Sequence, residues 1–464
     1  MSEIYINGIQ ALTGKYLVEP LDLARAAELI KGVPTDSSIV AYLRRVWRTI
    51  SQPHLGLPPD VDPAKVNQAG WGIVFHKDED DAVKAALNPL LEHRRQQCGS
   101  GERVKILEYS TGDNRAQWLA RYGVGAGSVD PTRVPYYLLL VGGPERIPFT
   151  FCHQLDVEYA VGCLHFDSVD DYRRYAESVV RYETAAHIER RRDIVFFCTR
   201  HTMDQATQLS ADYLVKPLAS NPPTLFRSKL IPGTEATKAV LSDVLDGTSA
   251  RPSVLFTATH GVGWPADDAD QTRLQGALLC KDWPPFTPTL PAHYFSASDL
   301  PATAKIHGVI TFHFACYGGG TPLEDRFLHK AGERPPRIAQ KPFIAALPKA
   351  LLAHPEGGAL ACVGHVERAW GYSIVTSQAG PQLMPFQNFL IRLSKGEPVG
   401  HAMKDFNERY ASLSTTVSSM LEQVGFGGSV SYQQLASAWI ERNDAEGYLV
   451  VGDPAVALRV ADMD

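Results

Sequence analysis

No stretch of this sequence approaches the run of about 18 apolar residues needed to cross a bilayer, so membrane insertion is not expected. A basic stripe is missing too. The formal net charge is −6, with 45 Lys and Arg against 51 Asp and Glu, which argues against a nucleic-acid surface. The opening residues, Met1-Ser2-Glu3-Ile4-Tyr5-Ile6-Asn7, lack a basic region followed by an apolar one, so no secretory signal is expected. Cysteine is sparse and odd in number, with seven at scattered positions 98, 152, 163, 198, 280, 316 and 362. That spacing gives no disulfide framework and fits a reducing, cytoplasmic setting. Several site motifs are absent. Gly142-Gly143-Pro144 follows an apolar run, but no G-x-G-x-x-G accompanies it, which sets aside a dinucleotide site. No G-x-S-x-G offers a serine nucleophile. Gly318-Gly319-Gly320 leads into Thr321-Pro322 rather than a lysine, so it is not a phosphate loop.

What is present is ordinary in bulk and patterned in detail. With 464 residues, 44% hydrophobic and 21% charged, the chain has the composition of a globular protein of two or three domains. Residues 1–66 read as a small helical segment, with helical periodicity over 21–31 and 38–50. A proline-rich joint, 52–63, closes it. Strands and helices then alternate: strands at 71–75, 104–109 and 136–141, helices at 80–95 and 113–122. This is a βαβαβ pattern, which implies a parallel sheet. Ser168-Val169-Asp170-Asp171 opens a helix to about Glu183. A second α/β unit follows, with strands at 194–199, 225–230, 254–259, 309–315 and 359–364, and helices near 203–214 and 235–246. A crossover helix is expected over 342–353, kinked at Pro348. Long loops, 263–291 and 321–341, separate these elements and are unusual unless functional. The C-terminal part is helical over 381–394 and 399–423 and ends in a strand at 448–451.

Two apolar runs end on reactive side chains. Val254 to Thr259 is followed by His260-Gly261, and Gly308 to Ala315 by Cys316. As adjacent parallel strands they would share a carboxyl edge, where sites of open α/β sheets form. The spacing therefore predicts that His260 and Cys316 meet. A thiol beside an imidazole can be deprotonated to a nucleophile, and the imidazolium can then protonate a leaving amine. Gly261 and the N–H of Cys316 could face the developing oxyanion. Read singly, each residue has a plainer meaning: a lone cysteine at a strand end is commonly a small buried hydrophobe, and a histidine before glycine a turn residue. Zinc held by His313, Cys316 and His293 is disfavoured, because strand alternation points His313 and Cys316 to opposite faces.

Ala258-Thr259-His260-Gly261 and Phe314-Ala315-Cys316-Tyr317-Gly318 resemble the two signatures of the caspase–gingipain clan of cysteine peptidases, and more closely its gingipain-like and CHAT-like members. Leu138 to Gly143 with Ile147-Pro148, Arg181-Tyr182-Glu183, Gly364 to Trp370, and Tyr448 to Pro454 resemble further segments of that group. The resemblance implies a caspase-like three-layer α/β sandwich, its mainly parallel sheet covered by helices on both faces, in two tandem subdomains. Residues 67–190 would be the non-catalytic subdomain and 191–464 the catalytic one, with a helical C-terminal part. It implies a cysteine endopeptidase acting on protein or peptide substrates, without cofactor or metal. Cys316 would be the nucleophile, His260 the general base and acid, Gly261 an oxyanion donor, and Asp204 the carboxylate that orients His260. Phe314, Glu367 and Trp370 would line the substrate pocket. Phe314 stands where basic-specific relatives carry Asp, which argues against trypsin-like specificity. The chain more resembles regulated intracellular proteases of bacterial defence or cell death, with a regulatory protein partner. The loop 321–341, polar and proline-rich at Gly332–Arg337, is expected to order on activation. A catalytically silent scaffold of the same fold, or an acyl-transfer enzyme, are the alternatives.

Overall fold

A computed structural model describes residues 3–5, 7–22, 57–99, 101–125, 127–248, 250–325, 334–371, 374–376, 380–425 and 429–464. Ten strands form one sheet. In chain order they are β1 (Trp71–His76), β2 (Val104–Tyr109), β3 (Tyr137–Val141), β4 (Ala160–Leu164), β5 (Arg191–Cys198), β6 (Arg227–Ile231), β7 (Pro252–Ala258), β8 (Ile310–Phe314), β9 (Ala361–His365) and β10 (Tyr448–Gly452). Their order across the sheet is β2-β1-β3-β4-β10-β9-β8-β7-β5-β6. Every neighbouring pair is parallel except β9 with β10. The central strands are buried throughout their length, as parallel strands covered by helices must be. The fold is thus an α/β sandwich on a large, mainly parallel sheet. Residues 67–190 supply four of its strands and 191–464 six, and β10 joins the two sets by pairing with β4 on one side and β9 on the other.

Aromatic packing ties the helical C-terminal part to this sheet. Phe312 of β8 stacks on Phe256 of β7 at 4.8 Å between ring centroids. It also meets Phe386, Phe389, Phe406 and Tyr448, which come from the segment after β9. A buried polar network fastens the other half. Asp453 accepts from the Trp71 indole and from Arg94, both at 2.9 Å, and Arg94 in turn grips Glu183. The Gly452-Asp453-Pro454 segment and the Glu183 helix end are therefore parts of one structural lock.

Several elements depart from the sequence expectations for identifiable reasons. The helix expected over 80–95 is two, Asp81–Ala86 and Asn88–Cys98, because Pro89 cannot continue the first one. Helix Phe149–Leu155 and strand β4 carry little β-branched signal and were not foreseen. At Gly162 in β4 an added Cβ would lie 2.1 Å from the Gly452 carbonyl oxygen, so only glycine permits the β10 contact. The helix expected from Pro342 spans Ala346–Leu352 instead, with Phe343–Ile344 paired to Gly320–Thr321. Pro348 falls in its first turn, where a missing N–H breaks no helical bond, so no kink arises there.

The loop after His260 is not structureless. Gly261–Gly263, Leu278–Leu279 and Tyr294–Phe295 form a small sheet with Gly8–Gln10. A second core of Ile9, Val262, Trp264, Leu279 and Trp283 holds it. Before residue 23, the described part of the N-terminal segment contributes short strands. Glu3–Ile4, Gly8–Gln10 and Leu21–Asp22 are strands. Apart from Leu21–Asp22, the helices expected over 21–31 and 38–50 lie outside the described residues, as do 326–333 of the loop 321–341.

Candidate active site

Strands β7 and β8 run parallel with Ala258 opposite Phe314. His260 and Cys316 each lie two residues past those positions, so equal offsets in register bring both to one edge of the sheet. The two strand extensions touch there. An added Cβ on Gly261 would lie 1.8 Å from the Cys316 carbonyl oxygen, so this position must be glycine for the strands' extensions to meet.

His260 is fully buried, and its Nε2 lies 2.6 Å from Asp204 Oδ2. Asp204 sits after β5 and caps the helix Gln205–Leu209, accepting from Ala206 N–H. It also accepts from Thr207 at 2.9 Å and from the Tyr16 hydroxyl at 2.6 Å. Burial opposes its charge, but His260 and these donors outweigh it and hold the carboxyl well below the usual carboxylate range. An ionised carboxylate can only accept, so His260 Nε2 carries the proton. Nδ1, buried and without a hydrogen-bond partner among the described residues, is then the basic nitrogen. Tyr16 and Trp283 pack edge-on against the imidazole and wall it from solvent.

Cys316 is also fully buried, and burial pushes its thiol well above the ordinary range. Its Sγ accepts from Ala369 N–H at 3.3 Å. Two backbone donors flank it. The N–H groups of Gly261 and Cys316 both point at a single acceptor, the carbonyl oxygen of Asn7, at 3.2 and 3.3 Å. The following residue, Gly8, lies so near that an added Cβ would be 2.7 Å from Cys316 Sγ.

The expected pocket residues take unequal places. Phe314 is buried with its ring against Phe386, and only its carbonyl faces the cleft, where Asn7 Nδ2 reaches it at 3.4 Å. Glu367 and Trp370 flank Ala369 and line a cavity of about 320 Å³ that neither Cys316 nor His260 borders. Glu367 has a left-handed backbone, φ 75°, and its carbonyl accepts from Tyr317, itself at φ 58°. Two bulky residues in that region beside the thiol mark stored backbone strain at the site. The side chain of Glu367 pairs with Arg368, which is buried and also bound by Asp325. Charges in this loop are thus mutually satisfied. His313 lies in the core, bonded to Thr257 at 2.9 Å, and burial pushes it down to about 4.

Sequence reasoning missed Asn7, Tyr16 and Ala369. An Asn-Gly pair is locally no more than a turn signal. Nothing local shows that it lies 253 positions away against Gly261 (261 − 8).

No family model and no curated protein matches this chain. Two solved structures resemble its outline. One, titled "Structure of Protease", is 13% identical with a TM-score of 0.47, covering 84% of this chain and 78% of that one. The other, a complex of Porphyromonas gingivalis RgpB pro- and mature domains, is 12% identical with a TM-score of 0.38, covering 84% and 80%.

Proposed function

We propose that this chain is a cysteine endopeptidase. One observation carries the reading: the Gly261 and Cys316 N–H groups converge on one peptide carbonyl beside the Cys316 thiol. That is the arrangement an oxyanion requires, with donors fixed before charge develops. The buried His260–Asp204 pair supports it by setting the imidazole tautomer. In the proposed cycle His260 takes the thiol proton, and Cys316 adds to the carbonyl carbon. The two N–H groups stabilise the oxyanion. His260 returns the proton to the departing amine, leaving a thioester. Water then adds with His260 as base, releasing the acid and the free thiol. Each step uses side chains and backbone alone. Substrates are peptide segments in extended form. The regulated intracellular role that the sequence resemblance implies belongs to this proposal.

The test is hydrolysis of a fluorogenic peptide library by the wild type and by Cys316→Ala. Turnover should vanish in Cys316→Ala, with the fold kept, and survive Ala at the other six cysteine positions. Full turnover in Cys316→Ala, with contaminating protease excluded, would refute the assignment. A silent scaffold would show no turnover in either protein.

A further inference from the structure

The cleft is filled by the chain's own N-terminal segment, and the segment lies as a peptide substrate would. Asn7 N–H donates to the Ala369 carbonyl at 3.0 Å, and Gly371 N–H donates to the Tyr5 carbonyl at 3.2 Å. Tyr5 and Asn7 are thus tied to the 369–371 segment by backbone bonds, as in strand addition to a sheet edge. After the thiol, Gly8–Gln10 pairs with Gly261–Gly263. Between these two flanks sits the Asn7–Gly8 peptide bond, its carbonyl oxygen held by both oxyanion donors.

The Asn7 side chain is fully buried. Its Nδ2 donates to the carbonyl of Thr259 at 2.7 Å and towards that of Phe314 at 3.4 Å. These are backbone acceptors at the ends of β7 and β8, fixed by the sheet. They accept an amide N–H and repel a carboxylate oxygen, so the pocket distinguishes asparagine from aspartate. Gly8 is selected by space: any side chain there meets the thiol and Leu17.

We infer that this cleft takes asparagine at the residue whose carbonyl is attacked, and that the chain's own Asn7–Gly8 bond is its first substrate. The inference rests on the cysteine-peptidase reading and specifies its substrate. Cys316 Sγ bonds to the Asn7 carbonyl carbon, and the bond to the Gly8 nitrogen breaks. Gly8 leaves as an amine carrying the proton that His260 took from the thiol. Water then hydrolyses the Asn7 thioester, freeing residues 1–7 with a new carboxylate. Until that cut, the tethered segment excludes other substrates and keeps Cys316 buried.

The experiment follows the full chain over time by intact mass and N-terminal sequencing, beside Cys316→Ala, Asn7→Asp and Asn7→Ala, each checked for folding by circular dichroism. In parallel, the wild type is given acetyl-Tyr-Ile-Asn-Gly-Ile-Gln-amide and its Asp counterpart. The expected result is a new N-terminus at Gly8 in the wild type and none in Cys316→Ala. Asn7→Asp should slow the cut by at least about 100-fold, and the Asn peptide should be preferred by a similar factor. A wild type that keeps residues 1–7 while hydrolysing library peptides through Cys316 overturns this inference and leaves the peptidase reading standing. Absence of any Cys316-dependent hydrolysis overturns both.

Discussion

Replacing Asp204 by Asn probes the orientation of His260 with almost no change of shape. Asp204 accepts four hydrogen bonds, from His260, Thr207, Tyr16 and Ala206. Asparagine keeps one oxygen for Tyr16 and Ala206 and remains a good helix cap. Its Nδ2 would face His260 Nε2 and the Thr207 hydroxyl. His260 can then meet it only by accepting at Nε2, which moves the ring proton to Nδ1. The basic nitrogen is lost from the site. We expect kcat/KM to fall by about 10²–10⁴, the usual contribution of general acid–base catalysis. Stability should fall by about 1–3 kcal/mol, for a charge-assisted bond replaced by a mismatched one. Asp204→Ala should lose similar activity and about 1 kcal/mol more stability, because the cap goes too. Peptidase kinetics and urea unfolding on the same preparations separate the two effects. A folded Asp204→Asn enzyme with kcat/KM within about threefold of wild type would refute the orienting role.

Two further predictions concern stability. Glu183 is held down to about 2, because Arg94 and His93 outweigh the burial that opposes its charge. A folded-state value below the ordinary one of about 4.3 stabilises the protein above that pH, and the stabilisation is lost as pH falls towards 2. Its full size is about 3 kcal/mol. Glu183→Gln should therefore flatten the decline in unfolding free energy between pH 4.5 and 2.5, and an unchanged slope would exclude Glu183 as its source. Phe312→Ala removes a ring that meets five other aromatics and should cost about 3–5 kcal/mol in denaturant unfolding. A loss under about 1 kcal/mol would mean that this cluster does not hold the helical part to the sheet.

The sheet was legible where buried strands announce themselves. Trp71–His76, Tyr137–Val141, Pro252–Ala258 and Ile310–Phe314 are short apolar runs bounded by turn residues, and their ends put His260 and Cys316 on one edge. Strand β4 was not legible, because Ala160-Val161-Gly162-Cys163-Leu164 is small and weakly β-forming. What selects it is the approach of Gly452 and Pro454, more than 280 residues on (452 − 162). The pairing of Gly8–Gln10 with Gly261–Gly263 is of the same kind. Strands of three residues that begin on glycine carry no periodic signal, and their partner is chosen by tertiary contact. Asp204 could be placed after its strand from sequence, but its bonds to His260 and Tyr16 depend on helix capping and on where the N-terminal segment lies. The expected pocket residues were named for their side chains, whereas the groups that hold Asn7 in the cleft are backbone carbonyls of Thr259, Phe314 and Ala369. Backbone recognition leaves no mark in residue type.

The identity of the nucleophile is open to a direct measurement. The full-length protein is mixed with peptide substrate and quenched in acid within the first turnovers. It is then digested and mapped by mass spectrometry for an acyl group. The expected result is a thioester on the fragment carrying Cys316, hydrolysed by mild base, and absent from Cys316→Ala together with turnover. An acyl group on any other residue, or undiminished turnover in Cys316→Ala, would contradict it.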